Sequence, residues 1–303
     1  MLKSSFVASL FILAMCISGG VRAQTNLSEG DVRNLRKVED SLIALSDSMF
    51  TAFIPDTRVD YCQKFAKMLV RALKTPNSYE YGFDSLGKKI NIIKPDDNAF
   101  RIFNWPILPD GIRPRYYGAV QMAGSGLKLY PLFDRTTDLG KGVEDSILTN
   151  ERWFGALYYR ILTNEVRGEK IYTLFGLNSS NLVSNKKVLE PMRITENGIS
   201  FGAPIFGVAS ENNQNGTINR YIMEYRKDVQ ASLNWDDELK LIYFDRLVSQ
   251  SNDPNRKYTY VPSGQYDGFR WSGNRWTYVQ DLIPVQPLKD GEAPAPVPLA
   301  PKN

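Results

Sequence analysis

Between Asp31 and Phe50 the apolar residues Val32, Leu35, Val38, Leu42, Leu45 and Met49 return every three or four positions. That period puts them on one face of a helix, and Ser28, with Asp31 three residues on, is a suitable N-cap. A second stripe, Val59, Cys62, Phe65, Ala66, Leu69, Val70 and Leu73, stops at Thr75-Pro76. The joining segment "TAFIPDTR" contains Pro55, so the two stripes predict an antiparallel helical hairpin within residues 24–77.

From about residue 78 the pattern changes to short runs of Tyr, Phe, Trp, Ile, Leu and Val broken by Gly, Asn, Asp, Ser and Pro. The runs predict strands and the breaks predict turns. Successive pairs are "YYGAVQM" with "LKLYPLFD", "WFGALYYRIL" with "KIYTLFGLN", "KKVLEPMRI" with "ISFGAPIFG", and "RYIMEYR" with "ASLNW". "LKLIYFDRL" follows, then "FRW" with "RWTYV". Short turns between sequential strands favour a meander over βαβ units. The expected fold class is mainly β (α+β), with an antiparallel meander over residues 78–283 behind the N-terminal helical hairpin. That meander would form a sandwich, an open barrel or a propeller-like sheet. The propeller variant rests on an echo between "YYGAV…LKLYPLF" and "WFGAL…EKIYTLF", and two weak copies do not establish a repeat.

The chain ends differ from this pattern. "MLKSSFVASLFILAMCISGGVRAQ" has basic Lys3, an apolar run too short to span a bilayer, and a compact residue pair at Val21 and Ala23. It predicts a signal peptide over residues 1–23, and hence a periplasmic or secreted location. The competing reading is lipidation at Cys16, although Met15 stands where a small residue is usual. No later segment is long and apolar enough for a transmembrane helix. The Pro- and Ala-rich stretch over residues 284–303 predicts an extended, disordered tail.

Composition then narrows the chemistry. The chain has 303 residues and no histidine, which removes Ser/His/Asp and Cys/His catalysis and the His-based zinc sites. No phosphate loop or dinucleotide fingerprint occurs, so no cofactor and no metal are expected. The net charge of +4, part of it from Lys3 and Arg22 in the leader, is too balanced to suggest a nucleic-acid partner. Cys62 is the only cysteine beyond the leader, so no intrachain disulfide is expected, and its place on the helix stripe makes it a core residue.

The most acidic stretch is "NWDDELKLIYFDRL", with Asp236, Asp237 and Glu238 at a hairpin tip and Asp245 further along. On an extended strand Asp237 and Asp245 would lie roughly 26 Å apart, against about 5–9.5 Å for a glycosidase pair. No catalytic residue is therefore assigned. Candidate ligand-binding residues are Arg113 and Arg115 beside Tyr116 and Tyr117, Tyr266 and Asp267 beside Gly268, and Trp271 and Trp276. Arginine with aromatics can clamp an anionic or planar ligand, or simply lie over the sheet. Phe269 and Trp271 on one strand with Trp276 and Tyr278 on the next form an aromatic ladder: a stacking platform if exposed, core if buried.

Taken together, "YYGAVQM", "LKLYPLFD", "WFGALYYRIL", "KIYTLFGLN", "FGAPIFG", "LIYFDRL" and "VPSGQYDGF" resemble a family of secreted β-rich proteins of Bacteroidetes-type bacteria with no known function. The resemblance covers about Arg101 to Leu282 and implies a common fold and export, not a reaction. In that family the aspartate matching Asp245 is often followed by histidine, whereas this chain has Arg246. The resulting expectation is an exported, non-catalytic binding or structural protein of the cell envelope, whose partner is a glycan, a peptide or an envelope protein. The alternative is a glycan hydrolase working with carboxylates alone, drawn from Asp134, Glu224, Asp237, Asp245 and Asp267.

Overall fold

The computed structural model describes residues 27–140, 142–208 and 216–282. The expected signal segment with Cys16 and the Pro-rich tail lie outside these residues. Helix α1 (Glu29–Thr51) starts where the Ser28 hydroxyl accepts a hydrogen bond from the Asp31 N–H. Helix α2 (Pro55–Leu73) carries its proline at the first turn, where the missing N–H is harmless. Leu35, Leu42 and Met49 of α1 meet Cys62, Phe65, Leu69 and Leu73 of α2 in one core. Burial pushes the Cys62 thiol up from its ordinary range, against a lowering hydrogen bond from the Trp105 indole. Among the described residues no helix is long and apolar enough to cross a membrane.

The strands along the chain begin with β1 (Asn91–Ile93), β2 (Phe100–Ile107), β3 (Arg115–Met122) and β4 (Leu129–Phe133), which make sheet 1 in that order. Then come β5 (Leu148–Thr149), β6 (Leu157–Val166), β7 (Glu169–Asn178), β8 (Ser184–Thr195) and β9 (Gly198–Phe201). They form sheet 2 in the order β5-β9-β8-β7-β6. The rest are β10 (Phe206–Gly207), β11 (Thr217–Ile218), β12 (Tyr221–Arg226), β13 (Leu233–Asp236), β14 (Leu241–Ser249), β15 (Tyr260–Trp271) and β16 (Trp276–Val279). Sheet 3 has the order β11-β10-β16-β15-β14-β13, while β12 joins sheet 2 through β8. The pairing is antiparallel throughout except between β10 and β16.

The molecule is mainly β, with the helices at one side of stacked sheets. Alternation along β2 explains the stacking. Phe103, Trp105 and Ile107 face the helical hairpin, while Phe100 and Ile102 face sheet 2. Sheet 2 is covered on both sides: Tyr172 and Leu174 point to sheet 1, Ile171 and Phe175 to sheet 3. This accounts for the near-continuous apolar run "KIYTLFGLN", which an antiparallel sheet with one wet face would not need. The echoed sequences fall on the β3–β4 and β6–β7 hairpins, which belong to different sheets.

Sheet 2 contains one gap. β12 pairs with β8 as far as Leu189, and β9 takes over from Met192. Pro191, which has no N–H to donate, occupies the interval, the place where a strand interior tolerates proline. Beside it Glu190 and Arg220, both fully buried, bond at 2.6 Å. Tyr158 donates to the second Glu190 oxygen, and burial followed by that carboxylate pushes its phenol far above the ordinary range.

Candidate functional site

Between β12, which is paired with β8 along its whole length, and strands β14 and β15 of sheet 3, a cleft of about 440 Å³ opens. Its walls are Tyr221, Ile222, Met223 and Glu224 of β12, Phe244 to Leu247 of β14, and Lys257, Tyr260, Asp267, Tyr278 and Gln280. Four consecutive residues of β12, whose side chains point alternately to its two faces, border the cleft. One edge of β12 is taken by β8, and among the described residues no strand pairs with the other. In an antiparallel strand alternate residues then direct their N–H and C=O groups outward.

The opposite wall is fixed by a bulge. Asp245 is in register with Tyr266 and Leu247 with Pro262, so Arg246 faces the three residues Ser263–Gln265. Gly264 takes φ 83°, a left-handed conformation that favours glycine. Arg246 is thereby held against Asp267, with Nε 3.0 Å from both carboxylate oxygens, and against Asp281 at 2.7 Å. Nη1, the nitrogen that meets Asp281, also donates to Gln265 at 2.8 Å, and Nη2 donates to Asp267. Asp267 also accepts from the Tyr278 hydroxyl and from the Asp281 N–H at 3.1 Å. Burial pushes the Asp267 carboxyl up, but the bonds from Arg246, Tyr278 and Asp281, with the Arg246 charge, outweigh it and hold the group below its usual range. On Tyr278 burial and the same carboxylate push the phenol up.

The other acids of the cleft are likewise engaged. The Asp245 carboxylate accepts from the Ser232 N–H at 2.6 Å, tying β14 to the start of β13. Glu224 accepts from the Ser184 hydroxyl and lies 3.7 Å from the Lys186 ammonium. The aromatic rings of Tyr221, Phe244 and Tyr278 pack edge-on or tilted against Phe269 and one another at 5.0–6.2 Å between centroids. They wall the cleft without offering a flat free face. Among the described residues the Tyr221 hydroxyl has no hydrogen-bond partner, and burial pushes its phenol up.

The six candidate ligand-binding residues do not gather on one surface. Asp267 borders the cleft, but at 3 % exposure it is a buried ion-pair partner rather than an exposed polar contact. Tyr266, the next residue, points to the other face of sheet 3 and packs on Tyr243 at 6.2 Å. The ladder is present, with Phe269 opposite Tyr278 and Trp271 opposite Trp276. It faces sheet 2, so Trp276 is 1 % exposed, its indole donating to Thr173, and half-buried Trp271 rests on it at 5.1 Å. These rings are core and not a stacking platform, because sheet 2 covers them. Arg115 opens β3 of sheet 1 and Arg113 lies in the loop before it, where it bonds Asp110 at 2.8 Å.

The acids at the hairpin tip are turn-formers. Asp236 accepts from the Glu238 and Leu239 N–H groups at 2.9 and 2.8 Å, and Asp237 accepts from the Trp235 indole. Asp134 is used up by the Tyr116 and Thr136 N–H groups and the Thr136 hydroxyl. Among the described residues no three His, Cys, Asp or Glu side chains gather as they would around a metal ion. Sequence reasoning did not single out Tyr221, Lys257, Tyr260 or Gln280. It also passed over Arg246, Glu190 and Arg220 as partners, although a charge inside an apolar strand run is a signal that it must be paired. Compared with protein-family models, curated proteins and solved structures, the chain has no match.

Proposed function

We propose that this is an exported, non-catalytic binding protein of the cell envelope that holds an extended peptide segment, supplied by a partner protein, along the edge of β12 that no strand pairs, beside the Lys257–Thr259 turn. The observation that carries the reading is that β12, which borders the cleft, is paired with β8 on one edge and among the described residues with no strand on the other. Strand addition gives affinity through main-chain hydrogen bonds, and pockets for alternate side chains give selectivity. The cleft's charged residues are Arg246 and Lys257 against Glu224, Asp245 and Asp267, so a peptide with a basic residue suits it. A binding role is supported by the engagement of Asp245, Asp267 and Glu224 with structural partners, which leaves no pair poised for acid and base work. A peptide is favoured over a glycan because the cleft rings pack against each other instead of presenting a stacking face.

Panning a random peptide library on the purified protein, beside a glycan array, tests this. The expected result is recovery of extended peptides whose affinity, measured by calorimetry, falls about tenfold or more in Tyr260→Ala and in Glu224→Lys, a loss of about 1.4 kcal/mol. Peptides that bind both variants as well as the unaltered protein, or hits confined to glycans, would contradict it.

A further inference from the structure

The layer between sheets 2 and 3 opens a second time, at the other end of the β15–β16 hairpin. There a cavity of about 510 Å³ is bordered by Arg167, Arg193 and Arg275, with Glu169 as its one acid. Arg167 sits in the two-residue β6–β7 turn with φ 53°, followed by Gly168 at φ 83°. Both central residues of that turn have positive φ, where asparagine or glycine is usual and arginine is not. Arg193, on β8, bonds Glu169 across the sheet. Arg275, in the β15–β16 turn, runs its stem over Gly207: a Cβ added there would lie 3.9 Å from the Arg275 Cδ. Among the described residues neither Arg167 nor Arg275 has a carboxylate within ion-pair distance, so the three arginines exceed the one acid by two charges.

The floor of this cavity is apolar. Ile171, Ala203 and Ile205 are buried in the sheet 2–sheet 3 core while also bordering the cavity. The 203–205 segment is held in place because Ile205 accepts from the Trp276 N–H at 2.6 Å and donates to the Ala203 carbonyl at 2.7 Å. A cation rim over a fixed apolar floor, in a volume within the ~300–1,000 Å³ of small-molecule sites, sets a chemical class. We infer that this second mouth binds a small organic anion, its oxyanion head between Arg167 and Arg275 and its apolar body on Ala203 and Ile205. Guanidinium forks match carboxylate and phosphate oxygens, and an apolar body recovers the contact that inorganic phosphate would leave unused. This site shares no lining residue with the peptide cleft, so either proposal can fail without the other.

Calorimetry at low ionic strength with phenyl phosphate, benzoate and inorganic phosphate tests the assignment. Phenyl phosphate is expected to bind more tightly than inorganic phosphate, and benzoate shows whether a carboxylate head serves as well. Arg275→Gln and Arg167→Gln should each weaken phenyl phosphate about tenfold, the ratio that corresponds to one lost charge-assisted hydrogen bond of about 1.5 kcal/mol. Arg115→Gln, on sheet 1, should leave binding unchanged. Glu169→Gln should tighten binding by removing the acid, a gain that damage to the fold cannot imitate. Binding that is lost equally in Arg115→Gln would overturn the inference, as would none detected in the unaltered protein up to about 10 mM, the limit set by a gain of only ~3 kcal/mol. Weakened binding in Glu169→Gln would overturn it too.

Discussion

The two mouths of the layer between sheets 2 and 3 are built from similar materials and use them in opposite ways. At the β12 mouth, Arg246 is saturated by Asp267, Asp281 and Gln265, and the acids beside it are bonded in turn. At the Arg275 mouth, Arg193 is paired and two further arginines stand without acids among the described residues. A charge that is buried must be matched within the fold, whereas a charge on a rim can wait for a ligand. The first arrangement fixes the shape of a wall, so that in the proposed reading recognition would fall to backbone groups on β12. In the second, the proposed recognition would fall to the side chains themselves.

Four substitutions would break or sharpen that contrast. The extreme of internal matching lies on the opposite face of sheet 2, toward sheet 1, at the fully buried Glu190–Arg220 pair. Arg220→Met should destabilise the fold by about 4 kcal/mol in chemical denaturation, because it leaves Glu190 buried without its cation. Asp267→Asn should cost about 2 kcal/mol at neutral pH, less than for a fully buried pair because Arg246 keeps some exposure and its bond to Asp281. Its pH dependence has a definite sign. A carboxyl held below its usual range adds stability above the ordinary Asp value of ~3.9, and that stability is lost as pH falls through the depressed folded value. Denaturation midpoints of Asp267→Asn and the unaltered protein should therefore converge in strong acid. Tyr278→Phe removes one bond to the same carboxylate and should cost about 1 kcal/mol. Arg275→Gln, at the rim, should change stability by less than about 0.5 kcal/mol, and a larger loss would remove the distinction between the mouths.

Much of the layer content was legible along the chain and little of the layer order. The stripes at Leu35, Leu42 and Met49 and at Cys62, Phe65 and Leu69 read directly as buried helix faces, since a helix brings residues three and four apart together. The hairpins from β3 to β9 follow from local alternation and turns. Pro106 within β2 obscures a strand whose two faces are both buried. The parallel contact of β10 with β16 and the transfer of β12 to β8 join distant segments, which no local period encodes. The site failed to emerge for the same reason. Tyr266 and Asp267 are neighbours in sequence and lie on opposite faces, while Glu224 and Arg246 border one cleft from different sheets. Asp245 finds its partner in the Ser232 backbone, a donor that side-chain motifs do not reveal.

Amide hydrogen exchange across β12, with and without a peptide selected on the protein, tests the central claim most directly. Strand addition at the edge that no strand pairs predicts new protection at alternate amides between Tyr221 and Arg226, those directed away from β8. Unchanged exchange across β12 with protection elsewhere on bound protein would contradict it.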